Sequence, residues 1–221
     1  RTRDVLVAFG RTLPREASAE QVKQAVFELS VTSWQTHVAT LPNLPAAWLA
    51  AAKRRLGEVA VIDSVGTRLS NRRLIAAVLL FARRIKRLAP EPAVGILLPA
   101  SSAAAIANLA ALLVGKQVVN LNYTASSEAL LAGMRSAGVR HVVTSERFLA
   151  KLQQRGIDLD AAFAEATLHP MEALRAEIGK AEALALLGIG ILLPARLLLW
   201  LFGRPGRPDD TAAILFSSGS E

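Results

Sequence analysis

The chain has 221 residues, 52% of them apolar, which is ample for a buried core and excludes a disordered chain. Lys and Arg number 26 against 18 acidic residues, a net charge of +8, but aromatics are only 5% and the cations sit in short clusters at Lys53 to Arg55, Arg72 to Arg73 and Arg83 to Arg87, a pattern of solvated helix faces and anionic membrane surfaces and not of a nucleic-acid reader. The absence of cysteine excludes disulfides, thiolate metal sites and a thiol nucleophile, and the three histidines, His37, His141 and His169, have no zinc-binding spacing, so no metal site is expected and each is read as structural or exposed.

Arg1 to Asp4 opens the sequence with charge and without an initiator Met, and no signal-like apolar region follows, as if cut from a longer protein. Val5 to Phe9 is a short strand-like run with a turn at Gly10. Ser18 then caps a helix in which Val22, Ala25, Val26 and Leu29 recur at three- and four-residue spacing. This end-piece is too small to bury its own apolar face. Thr40 to Pro45 is a proline-marked linker, and a domain is expected to begin about residue 40, with Pro45 opening a helix that carries Trp48, Leu49, Ala52 and Leu56.

Val59 to Asp63 and Thr67 to Ser70, joined through Ser64 to Gly66, read as a hairpin. Ser70 or Asn71 caps a long helix with Leu74, Ile75, Val78, Leu79, Ala82 and Ile85 inward, and with Arg72, Arg73, Arg83, Arg84, Lys86 and Arg87 mostly toward water. Ala93 to Leu98 is a continuous apolar run of the kind buried on both faces of a parallel sheet, and a small-residue helix follows to Val114. Gln117 to Leu121, Ser126 to Ala137, Arg140 to Thr144 and Ser145 to Gln154 continue the alternation of strand and helix. Short joints between alternating elements predict an α/β fold with a doubly wound parallel sheet. Asn122 to Ala125 falls at a strand's carboxyl end, where such sheets place ligands, but a helix-capping turn accounts for the same residues and no chemistry is assigned to them.

Ala183 to Leu193 carries no charge, and after Pro194-Ala-Arg196 a second apolar block runs from Leu197 to Phe202. Together they approach the ~20 apolar residues of a membrane span, but glycines, a central proline and Arg196 oppose one. A broken hairpin dipping into one leaflet fits better, within an insertion at 181–203. Arg196, Leu198, Trp200, Leu201 and Arg204 are the expected membrane contacts; the alternative is a pair of core helices.

The chain closes on Ile214-Leu-Phe-Ser-Ser-Gly-Ser-Glu221, a short apolar strand opening into hydroxyls and a glycine. A phosphate cradle needs those parts: a fixed strand, a glycine that lets backbone approach oxygen closely, and hydroxyl or N–H donors. Ser217, Ser218, Gly219 and Ser220 are the candidate cradle. In this run, and in Val94-Gly-Ile-Leu-Leu-Pro99, Val119-Asn-Leu-Asn-Tyr-Thr-Ala125 and His141-Val-Val-Thr-Ser-Glu-Arg-Phe-Leu149, the sequence resembles the adenylate-forming (AMP-binding) superfamily. Within it the likeness is to the bacterial inner-membrane bifunctional enzymes that join a 2-acylglycerophosphoethanolamine acyltransferase to an acyl-[acyl-carrier-protein] synthetase. It spans about the whole chain and is strongest from Pro45 to Arg147 and from Thr211 onward.

That resemblance implies a parallel-sheet N-terminal subdomain of an adenylating enzyme in residues 40–221, preceded in 1–39 by the tail of an acyltransferase domain whose His and Asp motif would lie upstream. It implies ATP and Mg²⁺ as cofactors, with Ser217, Ser218, Gly219 and Ser220 holding the β and γ phosphates. Fatty acid, acyl-carrier protein, lysophospholipid and a membrane surface are the implied partners, at the cytoplasmic face of the inner membrane. The superfamily's loop continues with glycine, proline, lysine and glycine, and neither these nor its later catalytic motifs occur here, so this segment by itself is expected to be inactive and no catalytic residue is assigned. Two other readings stay open: a stand-alone acyl-CoA or aryl-acid ligase, and a non-enzymatic membrane adaptor.

Overall fold

The structure, a computed structural model, describes residues 5–64, 66–204 and 206–216. Its contacts divide the chain into two units, Arg1–Asn43 with Arg207–Asp210, and Leu44–Gly206 with Thr211–Glu221.

In the first unit, α1 (Ala19–Val38) begins at a capping box. The Ser18 hydroxyl accepts the Gln21 N–H at 3.3 Å, while the Gln21 side chain accepts the Ser18 N–H at 2.8 Å. The strand expected at Val5 to Phe9 does not form. A strand exists only against a partner edge, and these residues have none; Val5 and Phe9 are largely exposed.

The second unit opens with α2 (Leu44–Arg54), which buries Pro45, Leu49 and Ala52. The hairpin of β1 (Val59–Ile62) and β2 (Arg68–Ser70) is antiparallel, with Val61 opposite Leu69. α3 (Asn71–Leu88) then buries Leu74, Ile75, Val78, Leu79, Ala82 and Ile85, the stripe its spacing predicts.

The main sheet comprises β3 (Ala93–Ile96), β4 (Gln117–Asn120), β5 (His141–Thr144), β6 (Thr167–Pro170) and β7 (Ala213–Ile214), in the order β6-β5-β3-β4-β7, with every pairing parallel. α4 (Ser102–Leu113) joins β3 to β4, and α5 (Ser127–Ala137) carries the chain over β3 to β5. α6 (Glu146–Gln154) and α7 (Leu159–Ala162) lead to β6, and α8 (Met171–Ala176), α9 (Lys180–Leu192) and α10 (Ala195–Phe202) lead to β7. Alternate strand residues enter separate cores, as a sheet covered on both faces requires. Val94, Ile96, Val118 and Val143 pack with α2, α3, α4, α9 and α10, whereas Ala93, Leu97, Val119 and Val142 pack with α5, α6 and α7.

Two expectations need correction. Arg84 does not face water: it is buried, and its guanidinium donates to Glu182 at 2.8 and 3.1 Å and to the Leu80 carbonyl at 3.0 Å. The i to i+4 pattern of α3 put it on a solvated face because α9, which covers it, was not recognised as packing there. The hydrogen bond from Arg84 is the main reason that the Glu182 carboxyl is held below its ordinary range. Glu182→Ala would leave the Arg84 charge buried without its partner, and an expected loss of about 1–2 kcal/mol, moderated by the partial exposure of Glu182, should be read from chemical denaturation. The second correction concerns Leu198, which is fully buried rather than offered to a membrane. α9 also packs closely on α3, since a Cβ at Gly190 would lie 3.0 Å from the Ile75 Cγ2. Among the described residues no helix is long and apolar enough to cross a membrane.

Candidate functional site

The carboxyl edge of the sheet is where the turns after β3 and β4 part to opposite faces, α4 to one and α5 to the other. That divergence opens a crevice at the strand ends. Small polar residues shape it. Ser101 caps α4 by accepting the Ala104 N–H at 3.3 Å, and the Ser102 hydroxyl donates to Asp63 at 2.9 Å. Asp63 also accepts the Thr67 N–H at 2.8 Å, which ties the β-hairpin turn to the start of α4. Desolvation pushes the Asp63 carboxyl up, but the hydrogen bonds from Thr67 and Ser102 together outweigh it and leave the group below its usual value. A carboxylate there also complements the positive end of α4.

After β4, the Asn122 side chain accepts the Thr124 N–H at 3.1 Å and its hydroxyl at 2.7 Å, and Ser126 caps α5. Asn122 to Ala125 is thus the capping turn that explains these residues without chemistry. Asn120, at the end of β4, exchanges amide hydrogen bonds with Asn108 of α4 at 3.0 and 3.1 Å. Beneath the edge, the buried Thr144 hydroxyl donates to the Leu97 carbonyl at 3.0 Å and stitches β5 to β3.

β7 lies beside β4, with Ala213 opposite Val118 and Ile214 opposite Val119. Being parallel to β4, it delivers the following chain to this same edge. The Phe216 ring reaches α5, where a Cβ at Gly133 would stand 3.5 Å from it. Ser217, Ser218, Gly219 and Ser220 follow directly and lie outside the described residues. The membrane candidates Arg196, Trp200, Leu201 and Arg204 are exposed, and the Arg204 N–H donates to the Leu113 carbonyl at the end of α4 opposite its Ser101 cap, while Leu198 points into the core. The clefts of about 520 and 540 Å³ also lie elsewhere; the walls of the first, Arg83, Arg84, Arg87, Glu177 and Glu182, are paired with one another.

A family model described as AMP-binding enzyme matches residues 48–221. The chain belongs to the AMP-binding enzyme family. Its members are adenylate-forming ligases. No curated protein matches the chain. Among solved structures it is similar to VinN, at 19% identity and a TM-score of 0.57, over 80% of this chain and 43% of that one. It is also similar to the Mycobacterium tuberculosis fatty acyl CoA synthetase (18% identity, TM-score 0.53, 79% and 32% covered). A third likeness is to the nonribosomal peptide synthetase FmoA3 in its AMPPNP-bound form (18% identity, TM-score 0.60, 81% and 17% covered). At such identities the likeness is one of fold, and the chain spans less than half the length of each. The α/β parallel-sheet unit matches the N-terminal subdomain of adenylate-forming enzymes in fold.

One cluster escaped the sequence reading. His141 Nδ1 and His169 Nε2 lie 2.9 Å apart, one donating and the other accepting, with Glu91 3.4 Å from the far side of His141. Only the parallel pairing of β5 with β6 brings them together across 28 residues, and β6 carries too short an apolar run to be recognised. His141 opens β5 and His169 stands third in β6, opposite Val143, and among the described residues no group of three or more His, Asp or Glu side chains could hold a metal. Burial, and then the neighbouring His141 ring, hold His169 below its ordinary value of 6.5. The unfolded chain therefore takes up that proton first, so this contribution to stability is complete above about pH 6.5 and is lost as pH falls through the lower folded value. The melting temperature should drop as pH falls below about 6.5, and His169→Gln should flatten that part of the profile in a thermal-melt series.

Proposed function

We propose that this chain is part of an enzyme that activates fatty acids with ATP, loads them onto acyl-carrier protein and returns them to lysophospholipids. The observation that carries the reading is the family match over 48–221, which takes in the Ser217 to Ser220 run that follows β7 in the sequence. Support for its finer part comes from the resemblance in Val94 to Pro99, Val119 to Ala125 and His141 to Leu149, and from a fatty acyl CoA synthetase among the similar structures. In this reading 1–39 is the end of an acyltransferase domain and 40–221 the start of the adenylating one, at the cytoplasmic face of a bacterial inner membrane.

The chemistry is acyl transfer through phosphorus. A fatty-acid carboxylate oxygen attacks the α-phosphorus of ATP, the bond to the β-phosphate bridging oxygen breaks, and pyrophosphate leaves. The thiol of the carrier's phosphopantetheine then attacks the acyl carbon and AMP departs, after which a lysophospholipid hydroxyl takes the acyl group and frees the thiol. The role of this chain's own residues is to hold phosphate: N–H groups and hydroxyls of Ser217, Ser218, Gly219 and Ser220 donate to the β and γ oxygens. Magnesium, when bound with the nucleotide, would screen its charge, and no ligand for it is assigned among the described residues.

The test is ATP–pyrophosphate exchange by the polypeptide carrying a full-length adenylation domain, with and without fatty acid. Exchange that needs fatty acid supports the reading, and an aryl- or amino-acid requirement overturns it. Acyl transfer to CoA but not to acyl-carrier protein would favour a stand-alone ligase.

A further inference from the structure

α10 turns an apolar face outward as well as inward. Leu198 is fully buried, yet Leu197, Trp200 and Leu201, at three- and four-residue spacing, are 45, 78 and 51% exposed. At the C-terminal end of α9, Leu192 is 81% exposed. Leu198, with Ala195, Leu199 and Phe202, supplies the contact with the core, and the outward side chains form an apolar patch beyond it. Trp200 is the most telling of these residues, because an indole combines apolar area with one N–H donor and so suits a boundary between hydrocarbon and water.

The segment that carries the face has charge of one sign: from Ala183 to Gly206 there is no acidic residue, while Arg196 and Arg204 are exposed. Lys86 of α3 lines a groove of about 280 Å³ together with Leu201 and Phe202; Arg83, also in its wall, is paired with Glu182. The Arg204 stem lies across Gly115, whose positive φ of 74° ends α4 and leaves no room for a Cβ, which would fall 2.8 Å from the Arg204 Cδ. Lys53 adds a cation at the end of α9, donating to the Gly190 and Ile191 carbonyls at 2.9 and 2.7 Å.

We propose, resting on the membrane location of the proposed function, that this face docks onto one leaflet of an anionic bilayer, with Leu192, Leu197, Trp200 and Leu201 entering the headgroup boundary and Lys86, Arg196 and Arg204 meeting lipid phosphates. The helices involved are 13 and 8 residues long, so the attachment is interfacial. A second copy fits less well: a two-fold contact would set this patch against itself and bring like-charged rims together. A bilayer presents phosphates around hydrocarbon, the complement of cations around an apolar centre.

The experiment is co-sedimentation of the chain with phosphatidylglycerol or phosphatidylcholine vesicles, together with Trp emission. It contains no ATP or fatty acid, so its outcome is independent of the adenylation reading. Binding to phosphatidylglycerol but not phosphatidylcholine, with a blue shift that Trp200→Phe abolishes, is expected. Trp200→Ser with Leu201→Ser should release the protein while leaving its circular-dichroism melt intact, since both side chains are exposed. Lys86→Gln with Arg196→Gln retains the apolar face and should weaken binding roughly 25-fold, about fivefold per cation. No binding, equal binding to the neutral vesicles, or binding indifferent to the paired serine substitutions overturns the proposal. So does a concentration-dependent dimer that those substitutions dissociate, which would identify a second copy as the occupant.

Discussion

Gly95→Val should unfold the α/β unit, or destabilise it by upwards of about 3 kcal/mol, through overpacking and not through backbone strain. Gly95 lies in β3, the middle strand, and its φ is not in the left-handed region. Backbone entropy alone would make a larger residue in a strand favourable by about 0.5–1 kcal/mol. Sterics decide the other way. A Cβ at Gly95 would stand 3.0 Å from both Val139 Cγ1 and Val142 Cγ2 and 3.3 Å from Leu121 Cδ1. Val142 is the register partner of Gly95 on β5 and is fully buried, so its stiff β-branched side chain cannot withdraw. Gly95→Ala asks these neighbours for a few tenths of an ångström and should cost about 2 kcal/mol; the two added methyls of valine have nowhere to go. Gly57, with nothing within 4 Å of its notional Cβ, is the control, and Gly57→Ala should change stability by less than about 0.5 kcal/mol. Urea denaturation of the three variants checks this. A Gly95→Val protein as stable as the parent would mean that β3 and β5 do not meet at this residue.

The same crowding explains which parts of the fold were legible in the sequence. β3, β4 and β5 read clearly because strands covered on both faces have apolar centres, here Val94 to Ile96, Val118-Val119 and Val142-Val143, and α3 read clearly because its stripe is long. β6 did not, because Thr167-Leu-His-Pro170 carries one aliphatic residue and ends in proline, and its place in the sheet comes from pairing with β5. The N-terminal run Val5 to Phe9 failed in the opposite way: it has the composition of a strand but no partner edge. α9 and α10 look alike as apolar strings, yet Leu198 is buried and Trp200 exposed two residues on. Composition cannot make that distinction; only the position of α3 and α2 beside these helices does. At the candidate site, the helix starts at Ser126 and Ser145 were legible, and in the structure both hydroxyls accept a local N–H as caps. The Asp63 link to Ser102 was not, because it spans 39 residues and depends on the hairpin folding back onto α4.

In the polypeptide that carries a full-length adenylation domain, Gly219→Val should cut fatty-acid-dependent pyrophosphate exchange by about a hundredfold or more, with little change in the melt. β7 runs parallel to β4 and ends at the carboxyl edge, the edge at which sheets of this class bind ligands. A phosphate held by backbone N–H groups must come within hydrogen-bonding distance of the main chain itself, and a branched side chain there occupies the volume of an oxygen. The loss should therefore include a raised KM for ATP and not only a lower rate. Ser217→Ala, Ser218→Ala and Ser220→Ala should each be milder, since every backbone donor survives and only a hydroxyl is lost. The paired Lys86→Gln and Arg196→Gln substitutions, apart from this edge, should leave exchange unchanged while weakening vesicle binding, which separates the two surfaces. Wild-type exchange by Gly219→Val would remove the Ser217 to Ser220 run from the nucleotide site and leave the family assignment without a phosphate-binding element in this chain.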